Sequence, residues 1–381
     1  MDTLRRLYIE PTSRCNLNCL MCFRRTWFDE TPGHMMLDNF RRALDSAPDT
    51  VETIFFGGMG EPLFHPQIVE MVRLASQRVK DVQLLTNATL LTEKMSAALL
   101  DSGLTMLWIS IDSFDPESYE EIRVNGRFDL VMKNMAAFNR LRGKLNAAAE
   151  TVERRLSRSI RLGATFVVMR SNLKQLQRLP EFAAENHIDE VNVSNIYPSD
   201  PEAEKEALYI DAIHGRRGAD TLKDFRPKIT LPYMDWEKPD IWDNLKPVFL
   251  DMRHTVSIAE MPLVRRSEYC RFIEDGIAFV RSDGDVSPCM ALLHNGTSSL
   301  CGQLRAIKHH SFGNVSAEPL SEIWESEPYR RFRDRVRRFD FAPCIHCGHC
   351  DMGLDNQEDC LGNEAPTCGG CLWSEGVIRC P

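Results

Sequence analysis

Between residues 7 and 195 the chain alternates two hydrophobic rhythms. Short runs rich in β-branched and aromatic residues, at Leu7–Glu10, Thr53–Phe56, Val82–Thr86, Met106–Ile111, Arg161–Val168 and Val191–Ser194, read as strands. Between them, Leu37–Ala47, Pro66–Arg78, Thr92–Ser102, Phe128–Leu145 and Leu173–Glu185 place apolar residues at helical spacing. Strands joined through helices run parallel, so the pattern predicts an α/β fold with a parallel sheet. Six such units are too few to close a full ring and predict a curved partial (β/α)6 barrel. In that architecture chemistry gathers at the C-terminal ends of the strands.

The rhythm stops near residue 199. From there to about 265, Pro201, Pro227, Pro232, Pro239, Pro247 and Pro262 are expected to interrupt any long helix, and Trp236 and Trp242 offer large apolar surfaces for packing against the barrel. From Cys270 onward, cysteines, glycines and short turns replace apolar periodicity. Such a region lacks material for a large core and is expected to fold around metal. The organisation read from the chain is therefore a barrel over 1–198, a bridging insertion over 199–265 and a small cysteine-rich domain over 266–381.

Composition narrows the function classes. The 381 residues are 43% hydrophobic and 27% charged, enough for real cores, and the formal charge of −9 argues against nonspecific nucleic-acid binding. The basic run Arg330–Arg338 reads as the solvated face of a helix. No apolar run is long enough to span a bilayer and no signal peptide is evident, so a cytoplasmic location without membrane contact is expected. The 13 cysteines, split between an N-terminal triplet and a dense C-terminal set, suit metal ligation in a reducing compartment better than disulfides.

The triplet carries the chemistry. Cys15, Cys19 and Cys22 follow the first strand as CxxxCxxC and supply three thiolates without a fourth. A cubane iron–sulfur cluster ordinarily takes four, so such a loop leaves one iron open to a small molecule. A zinc knuckle would need another ligand, and the nearest candidate, His34, lies beyond the usual ligand spacing. After the second strand comes Phe55-Phe56-Gly57-Gly58-Met59-Gly60-Glu61-Pro62, where glycines allow close approach of backbone to a ligand.

These motifs, one βα unit apart, resemble the radical S-adenosylmethionine (radical SAM) superfamily. The resemblance implies a [4Fe-4S] cluster on Cys15, Cys19 and Cys22, chelated at its open iron by SAM, whose reductive cleavage gives a 5′-deoxyadenosyl radical. It also implies that Gly57, Gly58, Gly60 and Glu61 hold the methionyl amino group. Ser110 and Asp112 would meet the ribose hydroxyls with Asn87 as a neighbour, and Arg170 would lie near the SAM carboxylate. Where relatives carry an aromatic residue before the third cysteine, this chain has Met21, followed by Phe23 after Cys22.

The stretch from Cys270 to Cys289, with Asp283-Gly284 as its turn, resembles the hairpin that opens a SPASM domain, which holds one or two auxiliary iron–sulfur clusters. Cys344, Cys347, Cys350, Cys360, Cys368, Cys371 and Cys380 follow. With Cys301 left aside, these nine thiols exceed by one what two four-iron clusters need. His346 and His349 within Cys344–Cys350 leave zinc open at one C-terminal site. The tail from Cys360 to Cys380 resembles that of the maturases of tungsten-containing aldehyde ferredoxin oxidoreductases. That resemblance implies an enzyme modifying such an oxidoreductase or its tungstopterin cofactor, with a low-potential electron donor such as ferredoxin or flavodoxin. A peptide-modifying SPASM enzyme, forming a thioether, a crosslink or formylglycine, is the second reading, and a noncatalytic iron–sulfur carrier the third.

Overall fold

The computed structural model describes residues 3–147, 160–210, 228–231, 238–250, 255–258, 261–262, 269–300, 302–345 and 350–380. Strands β1 (Arg6–Ile9), β2 (Thr53–Phe56), β3 (Asp81–Thr86), β4 (Met106–Ser110), β5 (Arg161–Val168) and β6 (Glu190–Asn195) lie side by side in chain order, all parallel. Helices α1 (Leu37–Asp45), α2 (Ile68–Arg78), α3 (Glu93–Asp101) and α5 (Phe128–Ala147) return the chain between them. A short helix α4 (Pro116–Ile122), not foreseen from periodicity, begins where the Asp115 side chain accepts the Ser118 N–H at 3.0 Å and Pro116 presets the first turn. The apolar run 173–185 divides into a 3-10 turn, Leu173–Arg178, and a helix, Leu179–Glu185, with Pro180 in the helix's first turn.

The period of two sorts each strand's side chains onto two cores. Leu7, Ile9, Ile54, Phe56, Leu84, Leu107, Ile109 and Phe166 face the helices. Tyr8, Phe55, Met106 and Trp108 fill the concave side, where Tyr8 stacks on Phe55 at 4.6 Å and on Phe279 at 4.5 Å. Gly163 makes room there, since a Cβ would come within 2.3 Å of the Trp108 ring.

Phe279 comes from outside the predicted barrel. The expected hairpin forms, but Cys270 first leads into a short helix (Arg271–Glu274) before strand β10 (Ile277–Val280), the turn with Gly284 at φ +97°, and β11 (Val286–Ser287). β10 pairs in parallel with β1, so the sheet has eight strands in the order β11-β10-β1-β2-β3-β4-β5-β6. β1 was an edge in the predicted barrel, and its unpaired backbone groups accept the C-terminal strand. The sheet thus runs across the boundary placed near residue 266.

The proline-rich stretch contains more regular structure than expected. Pro239–Leu250 is helical despite Pro247, with Pro239 at its start, and β7 (Lys228–Leu231), β8 (Thr255–Ile258) and β9 (Met261–Pro262) form a small sheet. Trp242 is 43% exposed, so it does not serve as buried packing against the barrel, and Trp236 lies outside the described residues. The basic run is helical over Glu327–Arg338, but Arg333 is fully buried, with its guanidinium 3.9 Å from the Trp324 ring and donating to the Trp324 carbonyl at 2.8 Å. Among the described residues no helix is long and apolar enough to cross a membrane.

Candidate active site

The loop leaving β1 carries Cys15, Cys19 and Cys22 over the C-terminal end of the sheet. Its backbone, not its thiols, anchors it: the Asn18 and Leu20 amides donate to the Val124 and Ile122 carbonyls at 3.0 and 2.9 Å. The three thiols lie within electrostatic reach of one another. Burial pushes Cys19 up to about 11 and raises Cys15 and Cys22 as well. Thiols so placed stay protonated until a metal supplies the compensating charge, as ligation to iron does. Three donors on one anchored loop fit a cluster with an open iron.

The glycine loop lies directly against this one. The Glu61 amide donates to the Arg14 carbonyl at 2.9 Å, and a Cβ on Gly60 would fall 2.0 Å from the Thr12 oxygen and 2.6 Å from that of Arg14. Gly57 continues the ladder to Ile9, and Gly58 sits at φ +111°. Gly60→Ala is therefore expected to push the cysteine loop off its seat and lower the iron held there severalfold. Iron analysis after anaerobic reconstitution checks this, and a wild-type iron content would refute it. Glu61 itself is buried and occupied. Its oxygens accept from the Thr86 hydroxyl at 2.7 Å and from the amides of Leu63 (3.0 Å) and Asn87 (2.7 Å). Burial raises its carboxyl against these donors. It clamps the glycine loop to the end of β3.

Asn87 also faces the cysteine loop, donating to the Asn16 side chain at 3.0 Å and toward the Cys15 sulfur at 3.8 Å. Ser110 ends β4 half-buried, 3.3 Å from the Thr165 hydroxyl. Asp112 does not share its surroundings, because β4 ends at Ser110 and strand alternation no longer applies. The Asp112 carboxylate has no exposed surface, its Oδ1 accepts the Val167 amide at 2.7 Å, and its Oδ2, which makes no hydrogen bond, pairs with Arg123 at 2.6 Å, so its observed role is that of a buried ion-pair partner. Arg170 is likewise committed elsewhere. It is exposed and donates to the carbonyls of Lys205 and Ala207 at 3.2 and 3.4 Å, fastening the 201–207 segment rather than awaiting a carboxylate. Sequence reading missed Arg123, which lies between the cysteine-loop anchors Ile122 and Val124, carries charge beside Cys19, and has a buried Nε without a hydrogen-bond partner.

In the C-terminal region Cys270, Cys289, Cys368 and Cys371 form one mutually interacting buried group, each thiol raised by burial. Cys350 and Cys360, both exposed, lie within electrostatic reach of the half-buried Cys344. Cys347, His346 and His349 lie outside the described residues. Cys380 joins neither group. Its sulfur accepts the Trp373 indole N–H at 3.3 Å, its charged neighbours are Arg271 and Arg6, and burial raises it to about 11. Among the described residues no three histidine, cysteine or acidic groups close around a single ion.

A shallow open cleft joins the two regions. Phe23 beside Cys22 and Met59 of the glycine loop line it from the barrel. Met290 beside Cys289, His294 and Trp373 line it from the C-terminal region. Phe23 packs on Tyr197 at 4.4 Å and meets Trp373 edge-on at 6.0 Å. Met21 turns instead into the concave core.

Comparison with known proteins agrees with this geometry. Residues 9–147 match the radical SAM superfamily, and residues 270–351 match the SPASM iron–sulfur cluster-binding domain. A tungsten-containing aldehyde ferredoxin oxidoreductase cofactor-modifying protein of Pyrococcus furiosus is 30% identical over 385 residues, 99% of this chain and 97% of that one. A probable GTP 3′,8-cyclase of Methanococcus maripaludis is 32% identical over 136 residues, covering 35% of this chain and 44% of its own. Among solved structures, Streptococcus suis SuiB bound to precursor peptide SuiA superposes with a TM-score of 0.57 at 18% identity, covering 91% of this chain and 70% of that one. Native anSMEcpe with bound AdoMet and Cp18Cys peptide superposes at 0.53 with 17% identity, covering 92% and 87%. These two share the fold. A three-thiol loop, an apposed glycine loop and a second set of buried thiols call for a [4Fe-4S] cluster, SAM and further iron–sulfur clusters. The chain therefore belongs to the radical SAM superfamily, as a SAM-dependent iron–sulfur enzyme with a SPASM domain, in the family of the tungsten-containing aldehyde ferredoxin oxidoreductase cofactor-modifying proteins.

Proposed function

We propose that this enzyme matures a tungsten-containing oxidoreductase, modifying its protein chain or its tungstopterin by hydrogen abstraction. The observation that carries the reading is similarity along 99% of the chain, through both cysteine regions, to the cofactor-modifying protein of P. furiosus. When bound and reduced, the N-terminal cluster supplies the electron that splits SAM into methionine and the 5′-deoxyadenosyl radical. The chain's own residues do the rest. Cys15, Cys19 and Cys22 hold the cluster. Gly57, Gly58 and Gly60 would give the methionyl group close backbone, Glu61 and Asn87 brace the two loops, and Ser110 would meet the ribose hydroxyls. The aromatic residues lining the cleft, Phe23, Tyr197 and Trp373, offer an apolar surface for the substrate between the barrel and the C-terminal thiols. A low-potential donor such as ferredoxin or flavodoxin feeds the clusters.

The test is anaerobic reconstitution followed by measurement of 5′-deoxyadenosine from SAM and reductant, with and without a co-produced tungsten-containing oxidoreductase. The expected result is product that rises when the partner is present. Product with no response to the partner would overturn the maturase role and favour a peptide substrate.

A further inference from the structure

The glycine loop is held from two sides. Glu61 ties it to β3, and Glu10, the residue after β1, ties it to the C-terminal region. Glu10 accepts the Met59 amide at 3.1 Å and lies under Gly58, where a Cβ would come within 2.8 Å of its Cγ. The other partners of Glu10 come from the far end of the chain: His294 Nε2 at 2.9 and 3.0 Å and the Ser282 amide at 3.3 Å. His294 Nδ1 meets Glu30 at 2.9 Å, Glu30 pairs with Arg281 at 2.7 Å and accepts the Asn295 amide at 2.7 Å, and Trp27 stacks on the imidazole at 4.1 Å.

An imidazole with a carboxylate at each nitrogen must donate from both, so it carries two protons. Burial alone would lower His294, but the charge of Glu10 and hydrogen bonds to Glu10 and Glu30 prevail and hold it up at about 9. Glu10, against its own burial, is held below the usual carboxylate range by the same partner. Glu10 and Glu30 face His294 and Arg281, and Arg281 also meets the half-exposed Asp283 at 3.3 Å. Remove His294 and Glu10 becomes a buried carboxylate with two amide partners only, and such a charge relaxes by moving toward water.

We propose that His294 is a positioning residue for the SAM-binding loop: by holding Glu10 it fixes the Met59 amide, so the C-terminal region sets the geometry of a site whose other parts lie in the barrel. This rests on reading Gly57–Glu61 as that loop. Neither ring nitrogen is free to move a proton for the reaction, since both are spent on carboxylates.

The experiment uses full-length His294→Gln, reconstituted anaerobically, with SAM as the probe. Four quantities are read: deuterium exchange in peptides covering residues 56–62, SAM affinity by equilibrium dialysis, iron per chain, and the unfolding midpoint. Exchange at the Met59 amide should quicken and SAM affinity fall about tenfold, the effect of one lost hydrogen bond to a charged group. Iron content and exchange in the core strands should stay at wild-type values. Glu10→Gln keeps the side-chain shape and an acceptor for Met59 but removes the charge that holds His294. It should move both readouts in the same direction by less, and it decides the matter if His294→Gln does not fold. Unchanged exchange at 56–62 overturns the proposal, as does exchange that quickens equally throughout the barrel. Wild-type protein that binds no SAM, with faster exchange at 56–62 in His294→Gln, would sink the SAM reading of the loop and leave the hold of His294 on it standing.

Discussion

Replacing Cys15, Cys19 and Cys22 together with alanine abolishes 5′-deoxyadenosine formation while leaving iron bound by the C-terminal cysteines. The loss is complete rather than graded because SAM must coordinate an iron that these thiols alone hold. The fold should survive, since the loop hangs on the Asn18 and Leu20 amides and its half-buried thiols contribute little packing. Cys270, Cys289, Cys368 and Cys371 are surrounded by separate elements and should keep their iron. Iron quantitation, the electron paramagnetic resonance of the reduced protein and product assay together check this. Retained cleavage, or loss of all iron, would contradict the assignment of two independent cysteine regions.

Arg123→Met is expected to cost about 3–5 kcal/mol of stability, the penalty for leaving one partner of a buried ion pair uncompensated. Asp112 has no exposed surface and Arg123 is 6% exposed, so water cannot replace the lost partner. Asp112→Leu alone should be comparably harmful, because Arg123 would then be buried beside Cys19 without its counter-ion. The double variant, which buries neither charge, should recover most of the loss, so a double-mutant cycle in urea gives a coupling of about 2 kcal/mol or more. Additive effects would mean that the pair is not a unit. Because Ile122 and Val124 anchor the cysteine loop, Arg123→Met should also reduce iron loading, whereas a ribose-binding role for Asp112 predicts weaker SAM binding with stability intact. The two readings separate on that measurement.

How much could be read before folding follows from how local each signal is. The strands were legible because burying a parallel sheet on both faces demands continuous apolar runs, and Thr53–Phe56 and Arg161–Val168 have the bounds periodicity predicts. The thiols and glycines were legible because their chemistry or backbone freedom is needed at fixed spacings within one loop. The neighbours of Asp112 and Arg170 were not legible, because the same side chains can face a ligand or a neighbour. The choice was made by Arg123 and by the carbonyls of 205 and 207, which no spacing announces. Arg333 was read as surface because a cation is solvated by default, whereas the facing rings of Trp324 and Tyr329 and the Trp324 carbonyl receive it in the interior.

The sequence by itself determined the repeated βα layout, the three-thiol loop, the glycine loop and the wealth of C-terminal thiols, because each depends on residues a few positions apart; their anchoring and apposition, through Val124, Ile122 and Arg14, came with the fold. Tertiary structure alone decided that β10 completes the sheet beside β1, that Cys380 stands outside both thiol groups, and that His294 reaches Glu10 across 284 positions. Those are pairings between distant segments. Their free energy comes from burying charge against charge and strand edge against strand edge, which exists only once the chain has closed on itself.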